Sequence, residues 1–338
     1  MASSVLQIVS PIKGAPKPIG PTNKKPMRPS NQLPQSLLDA ARAIEKVPFH
    51  AEKHVTFQPP SRVYTMKEIG LEGCGISPIA TSEPFQLFSQ EAVQQCRAEI
   101  FSEPVLDKYQ FSSTFTKNMI RGISAEDAPF VHALWKSPQV ANAVSKVAGI
   151  ELVPAFDYEI AHVNVLVNKD GEGEKAEDNV GFSWHYDSFP FVCVTMLSDC
   201  AGMTGGETAL RTGDGEVRKV RGPTMGTAVI LQGRYIEHAA LKALGGQERT
   251  TMITPFRPKN PLIKDETVLT TCVAISDNSR LFYDYCLYRA ELLQERMRLQ
   301  AQWLREQKEA GAPFDTASVK KFIEEQREFL DTTLEQFI

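Results

Sequence analysis

The sequence predicts an α+β chain: a β core between a mixed N-terminal layer and a C-terminal helical hairpin. Three observations predict it. Residues 181–257 hold short runs rich in β-branched and aromatic residues, separated by glycine turns, with no helix-length interruption. Residues 36–150 alternate helix-like and strand-like stretches. Beyond Pro261 the chain turns to Leu, Arg, Glu and Gln at helical spacing. At 338 residues, 42% hydrophobic and 23% charged, it has ample material for a substantial core.

Residues 1–35 read as a disordered, basic, proline-rich tail. The first 38 residues lack Asp and Glu, and seven prolines fall between Pro11 and Pro34 beside Lys13, Lys17, Lys24, Lys25 and Arg28. Such a stretch buries too little apolar area to order itself. A single arginine argues against a transit peptide, and Val5–Val9 is too short for a signal sequence. Residues 36–150 form a mixed α/β support region. A helix is predicted over 36–52 behind Ser36 as N-cap. Strands are predicted at Arg62–Met66 and Ile76–Thr81, around a glycine-rich turn at Gly70–Gly75. Helices follow at Gln90–Phe101, Ala128–Trp135 and Pro138–Ala148, the last stopped by Gly149.

Residues 151–258 form the core. Tyr158–Val167 reads as a strand whose alternation puts Tyr158, Ile160, His162, Asn164 and Leu166 on one face and Glu159 and Ala161 on the other. Polar groups on one face of an apolar strand mark a cavity wall. Lys169–Asn179 reads as a charged, solvated connection. Gly181–Asp187, Phe189–Leu197 and Thr227–Leu231, the last leading to His238, read as strands. Many short strands favour an antiparallel sandwich or barrel, of which the jelly roll is one closed form. Residues 259–338 form a helical extension, Asn278–Glu309 and Ser318–Phe337 around the break Gly311-Ala312-Pro313. Its apolar stripe, with Leu281, Tyr285, Tyr288, Leu292, Leu299 and Trp303, must be buried, either on the sheet or in a homodimer.

Composition narrows the function classes. A net charge of −4 gives no footprint for nucleic acid. No apolar run reaches the length of a membrane span. The six cysteines show no C-x-x-C spacing and fit reduced thiols in a cytoplasmic protein. Neither nucleic acid nor a membrane is an expected partner.

The chemistry concentrates in His185-x-Asp187, followed by His238 and then by Arg249-x-Thr251. Residues i and i+2 of a strand share a face, so His185 and Asp187 can converge on one ion. Two histidines and one carboxylate with open positions form the ligand set of non-haem Fe(II) oxygenases, and they also suit zinc. Arg249 and Thr251 share a face in the same way, and a guanidinium fork matches a carboxylate. The set reads as a metal site with a small acid beside it.

At these residues the chain resembles the Fe(II)/2-oxoglutarate-dependent dioxygenases. Gly205-Gly206-Glu207-Thr208 adds to the likeness. The stretches WHYDSFPFVCVTMLSD, GGETALRTGDGE, VRGPTMGTAVILQGRYIEHAAL and QERTTMITPFRPKNP resemble a fungal branch of secondary-metabolism oxygenases, some of which close an aziridine ring on valine. The resemblance implies a double-stranded β-helix (jelly-roll) core. It implies His185, Asp187 and His238 as catalytic Fe(II) ligands, and Arg249 with Thr251 at the distal carboxylate of 2-oxoglutarate. Asn164 joins them as a candidate for the co-substrate. His162, Phe189 and Tyr158 are candidates for the substrate. Arg121, Arg211 and Arg234 are candidate counter-charges, and Arg257 is the alternative to Arg249. The implied reaction consumes O₂, oxidises an unactivated C–H of an amino acid or fungal metabolite by hydroxylation or cyclisation, and releases succinate and CO₂. Competing readings are a peptide hydroxylase of the prolyl-hydroxylase type, a zinc-dependent hydrolase, which leaves Arg249-x-Thr251 idle, and an inactive β scaffold.

Overall fold

A computed structural model describes residues 6–22, 25–29, 32–114, 116–167, 180–244 and 248–337. The fold is α+β, and antiparallel sheets carry it. The larger sheet has ten strands, with Thr227–Leu231, Phe191–Met196, Glu248–Pro258 and His162–Val167 adjacent in that order at its centre. A second, among the described residues, has four, ordered Val217–Val220, Thr208–Arg211, His238–Leu241 and Val180–His185, and Thr204–Gly205 pairs with Ala243–Leu244 in a two-stranded sheet.

Strand alternation sorts the side chains of the large sheet. Phe191, Cys193, Ile230, Met252 and Phe256 point into an apolar layer shared with the helices Gln90–Ile100, Pro129–Lys136 and Pro138–Ala148. Val192, Leu231 and Ile253 point the other way and pack with Leu210 and Val220 of the four-stranded sheet. The space between the two sheets therefore has one wall from each, and it is there that the polar residues gather.

Helix ends follow local rules where those rules are strong. Pro138–Ala148 starts behind Ser137, whose side chain accepts from the Val140 amide, and ends at Gly149 in the left-handed region (φ 68°). Asn278–Glu309 has the predicted limits. The second helix of the hairpin begins earlier than expected, at Thr316, because Asp315 caps it, and it ends at Leu334. The helix expected over 36–52 divides into Gln35–Arg42 and a single turn, Ala51–His54. Pro48 accounts for the gap, since it disfavours helical backbone at the preceding residue. Glu103–Tyr109 is a helix the sequence reading missed: Pro104 reads as a breaker but sits in the first turn, where proline is tolerated.

Two further expectations are corrected. Tyr158–Val167 is not one strand. Asp157–Glu159 forms a 3₁₀ turn, Ala161 takes a positive φ of 59°, and the strand runs only over His162–Val167. This break shifts the phase, so the alternation extrapolated back to Tyr158 fails. Nor is the described part of the N-terminal segment a free tail. Val9 bridges Ile263, Lys13 bridges Cys74 and Met27 bridges Ser112. The Arg28 guanidinium donates to the carbonyls of Leu106, Asp107 and Gln110. Prolines lower the entropy cost of ordering an extended backbone, so a few such tethers can hold it.

The hairpin buries its stripe on the protein itself: Leu281, Tyr285, Tyr288 and Leu292 pack with Phe156, Tyr158 and Phe189. Tyr283, Leu287, Ile323 and Leu334 stay exposed on its outer side. Among the described residues no helix is long and apolar enough to cross a membrane. The Lys169–Asn179 loop lies outside the described residues.

Candidate metal centre

The triad is assembled by strand pairing. His238–Leu241 runs antiparallel to Val180–His185 with His238 opposite His185, and the two imidazole centroids are 4.3 Å apart. Asp187 follows just past the strand, and its amide donates to the Gly233 carbonyl at 2.9 Å. That close approach needs glycine: a Cβ at 233 would overlap the Asp187 carboxylate.

Backbone contacts set both tautomers. His185 Nδ1 donates to the Ser183 carbonyl at 2.7 Å, and His238 Nδ1 donates to the Ile236 carbonyl at 2.9 Å. Each Nε2 therefore presents a lone pair, the arrangement found in metal-ligating histidines. Those Nε2 atoms lie 3.4 and 3.6 Å from Asp187 Oδ1 and Oδ2. One ligand atom from each of the three residues falls within 4.8 Å of the others. Burial by itself would raise the Asp187 carboxyl, but His238 and His185 beside it hold it below its usual value. Burial pushes His238 down to about 4 against the pull of Asp187, so this imidazole is neutral at physiological pH. Asp187 Oδ2 is buried without a hydrogen-bond donor among the described residues. A buried anionic oxygen left in that state is costly, and a cation between the three ligand atoms satisfies it. The donor set, two imidazole nitrogens and one carboxylate, fits a divalent metal.

A cavity of about 180 Å³ extends from the triad between the sheets. Adjacent strands supply its polar wall in register: Arg249 opposite Leu166, Thr251 opposite Asn164, Ile253 opposite His162. Arg249 is half-buried and forms no ion pair among the described residues. Burial lowers the pKa of its guanidinium. Thr251 is buried, and Asn164 Oδ1 is buried without a partner. Arg121 reaches the same cavity, ion-paired with Glu159. Phe189 lines it too, its ring 5.8 Å from that of Phe156.

The fold thus gathers His185, Asp187, His238, Arg249, Thr251, Asn164, His162, Phe189 and Arg121 at one cavity. It does not bring four other candidates there. Tyr158 belongs to the packing under the hairpin, and its hydroxyl accepts from the Asp277 amide at 2.8 Å. The phase shift at Ala161 is the reason, and it brings Glu159 to the cavity instead. Arg211 pairs with Glu237 at 2.6 Å and stacks over Trp184 at the surface. Arg234 donates to the Glu266 and Pro16 carbonyls. Arg257 donates to the Ala155 carbonyl at 3.0 Å and lies over Tyr288. Sequence reasoning also missed Gly233. A lone glycine after a β run signals close approach of another group, and that signal was present.

No protein-family description matches the chain, and no curated protein does. Among solved structures, a 2OG-Fe(II) oxygenase family oxidoreductase from Burkholderia pseudomallei is similar at 14% identity, over 42% of this chain and 67% of that one, with a TM-score of 0.32. The α-ketoglutarate-dependent epimerase SnoN of nogalamycin biosynthesis is similar at 17% identity over 44% of this chain, which spans 62% of that protein, with a TM-score of 0.32. A prolyl-4-hydroxylase from Pseudomonas putida is similar at 16% identity over 51% of this chain and 88% of that one, with a TM-score of 0.31. Similarities at this level carry no weight for function, which rests on the site's own geometry.

Proposed function

We propose that the protein is an Fe(II)- and 2-oxoglutarate-dependent oxygenase that oxidises an unactivated C–H of a small molecule and releases succinate and CO₂. One observation carries this reading: a His-Asp-His triad with converging ligand atoms and an arginine without an ion-pair partner among the described residues line the same cavity. In this reading His185, Asp187 and His238 hold Fe(II), which when bound supplies the activation of O₂. Arg249 and Thr251, with Asn164 across the strand pair, hold the co-substrate. A charge-assisted pair with its distal carboxylate gives the guanidinium the partner it lacks. His162 and Phe189 face the substrate. The enclosing sheets exclude water and fix the reacting C–H near the metal.

Two antiparallel sheets facing each other across the site are what a double-stranded β-helix would present. A cavity of about 180 Å³ favours a small substrate over a peptide, which would need an open groove. The sequence stretches quoted above support a fungal secondary-metabolism branch, with an amino acid or related metabolite as substrate. A zinc hydrolase leaves the Arg249 charge without a purpose. The test is succinate formation by the purified protein with Fe(II) and 2-oxoglutarate across a panel of amino acids and fungal metabolites. Substrate-stimulated succinate is expected. Its absence, together with hydrolysis by the zinc form, would overturn the reading.

A further inference from the structure

A hydrogen-bond relay behind the cavity determines which nitrogen of His162 carries its proton. The Arg121 guanidinium is held by the Glu159 carboxylate and by Ser276 Oγ at 3.3 Å, and its Nη1 lies 2.8 Å from His162 Nδ1. A guanidinium has donors only, so His162 Nδ1 must accept and the proton must sit on Nε2. His162 Nε2 is buried and has no well-aligned hydrogen-bond partner among the described residues. Asn164, two residues on along the same cavity-facing side of the strand, is its near neighbour, and Asn164 Oδ1 is also unbonded. Burial and Arg121 keep the imidazole well below its usual pKa, against the smaller opposing effects of its side-chain contact with Asn164 and of Asp187; that contact is too poorly aligned to count as a hydrogen bond for either His162 Nε2 or Asn164 Oδ1. A buried N–H and a buried amide oxygen left open side by side on a cavity wall cost free energy until a ligand answers them.

We propose that His162 is a locked hydrogen-bond donor whose Nε2–H binds an oxygen of the molecule held in the cavity, and that Arg121 is the positioning residue that locks it. The ring is not a general base: one nitrogen faces a cation and the other carries the proton. The matching ligand group is a carboxylate, carbonyl or hydroxyl oxygen, and a hydroxyl answers both partners at once, accepting from His162 and donating to Asn164. Such an oxygen is present on 2-oxoglutarate and on an oxidisable metabolite. The choice between them rests on the oxygenase reading; the tautomer does not.

The tautomer is read first, without turnover, on the full chain loaded with diamagnetic Zn(II) and labelled with ¹⁵N-histidine. Long-range ¹⁵N–¹H correlation spectra are expected to show His162, assigned by its loss in His162→Gln, as the Nε2–H form. In Arg121→Met that pattern should give way to mixed tautomers. An Nδ1–H or doubly protonated His162 in the wild type would overturn the proposal whether or not the variants fold. Succinate assays then separate the two ligands. Losing a buried hydrogen bond of about 1.4 kcal/mol corresponds to roughly a tenfold weaker interaction. His162→Ala should raise one Michaelis constant by about that factor with kcat largely kept, and His162→Gln, which retains an N–H, should recover most of it. A rise for 2-oxoglutarate assigns the oxygen to the co-substrate; a rise for the organic substrate assigns it there. A fall in kcat with both constants unchanged would overturn the donor role. Because the spectra need no catalysis, failure of the oxygenase reading is distinguishable from failure of this one.

Discussion

The cavity between the sheets and one beneath the C-terminal hairpin are both lined by charged groups, and they differ in what those groups are left to do. Beneath the C-terminal hairpin lies a space of about 620 Å³ bordered by Arg234, Arg289, Arg296 and Asp265. Its guanidiniums are engaged. Arg234 grips the Glu266 and Pro16 carbonyls, Arg289 the Phe329 carbonyl and Thr333 Oγ1, and Arg296 the Pro261 and Ile263 carbonyls. Those bonds tie the N-terminal segment, the stretch after the core and the hairpin to one another. Asp265 Oδ2, Glu266 Oε2 and Arg289 Nη1 each keep one open position, but two are acceptors beside a cation, and the cavity is roomy enough for water. Between the sheets the pattern reverses. Among the described residues Asp187 Oδ2, Asn164 Oδ1 and His162 Nε2 are buried and open, Arg249 has no ion-pair partner, and all four line a smaller void. Buried charge alone therefore does not mark a site; unanswered donors and acceptors converging on one space do.

The sharpest way to break this contrast is Gly233→Ala, which touches no ligand atom by chemistry. The added methyl must displace the Asp187 carboxylate. Metal affinity should fall by about a hundredfold or more, comparable to Asp187→Ala, since even indirect supports of metal ligands are worth about 10–100-fold. Calorimetric metal titration checks this, with far-UV circular dichroism to confirm the fold. An unchanged affinity would mean that Asp187 is not held where the metal sits.

Arg249→Leu comes next. Breaking one side of a buried charge pair costs about 3–5 kcal/mol, so 2-oxoglutarate should bind roughly a hundredfold or more weakly. The readout is its Michaelis constant for succinate release. An unchanged constant would remove the open cation from the comparison, and Arg257, stacked under Tyr288, would then need a new explanation.

The second cavity predicts the opposite signature. Asp265→Asn should lower stability by about 1–3 kcal/mol, by weakening the compensation of buried arginines, while metal affinity stays put. Urea unfolding and metal titration on the same variant test both halves, and a loss of metal affinity would show the cavities to be coupled. The smallest effect belongs to Arg211→Ala. Its pair with Glu237 is largely exposed, so stability should change by no more than roughly 0.5 kcal/mol and succinate turnover should not change. Reduced turnover would return Arg211 to the site.

Much of the site was legible in the chain, and the reason is local geometry. The i, i+2 rule needs only a strand, so Arg249 with Thr251 and His162 with Asn164 could be placed on common faces before any fold was known. The donor chemistry of His-x-Asp with a distant histidine needed no coordinates either. The same local rule failed where the backbone left the strand. Ala161 at positive φ, after the turn at Asp157–Glu159, exchanged Tyr158 for Glu159 at the cavity. The described part of the N-terminal segment departs from the expected free tail for a related reason: composition speaks to what a stretch can bury alone, not to edges elsewhere that can hold it.

The sequence by itself determined which residue types could bind a metal and an acid and which of them shared a face, because covalent geometry repeats every two residues along a strand. Only the tertiary structure decided that His238 lies opposite His185, that Gly233 clears room for Asp187, and that Arg121 reaches across to hold His162. Those are contacts between segments far apart in the chain, set by strand register and by which groups burial leaves without water, and no local pattern encodes them.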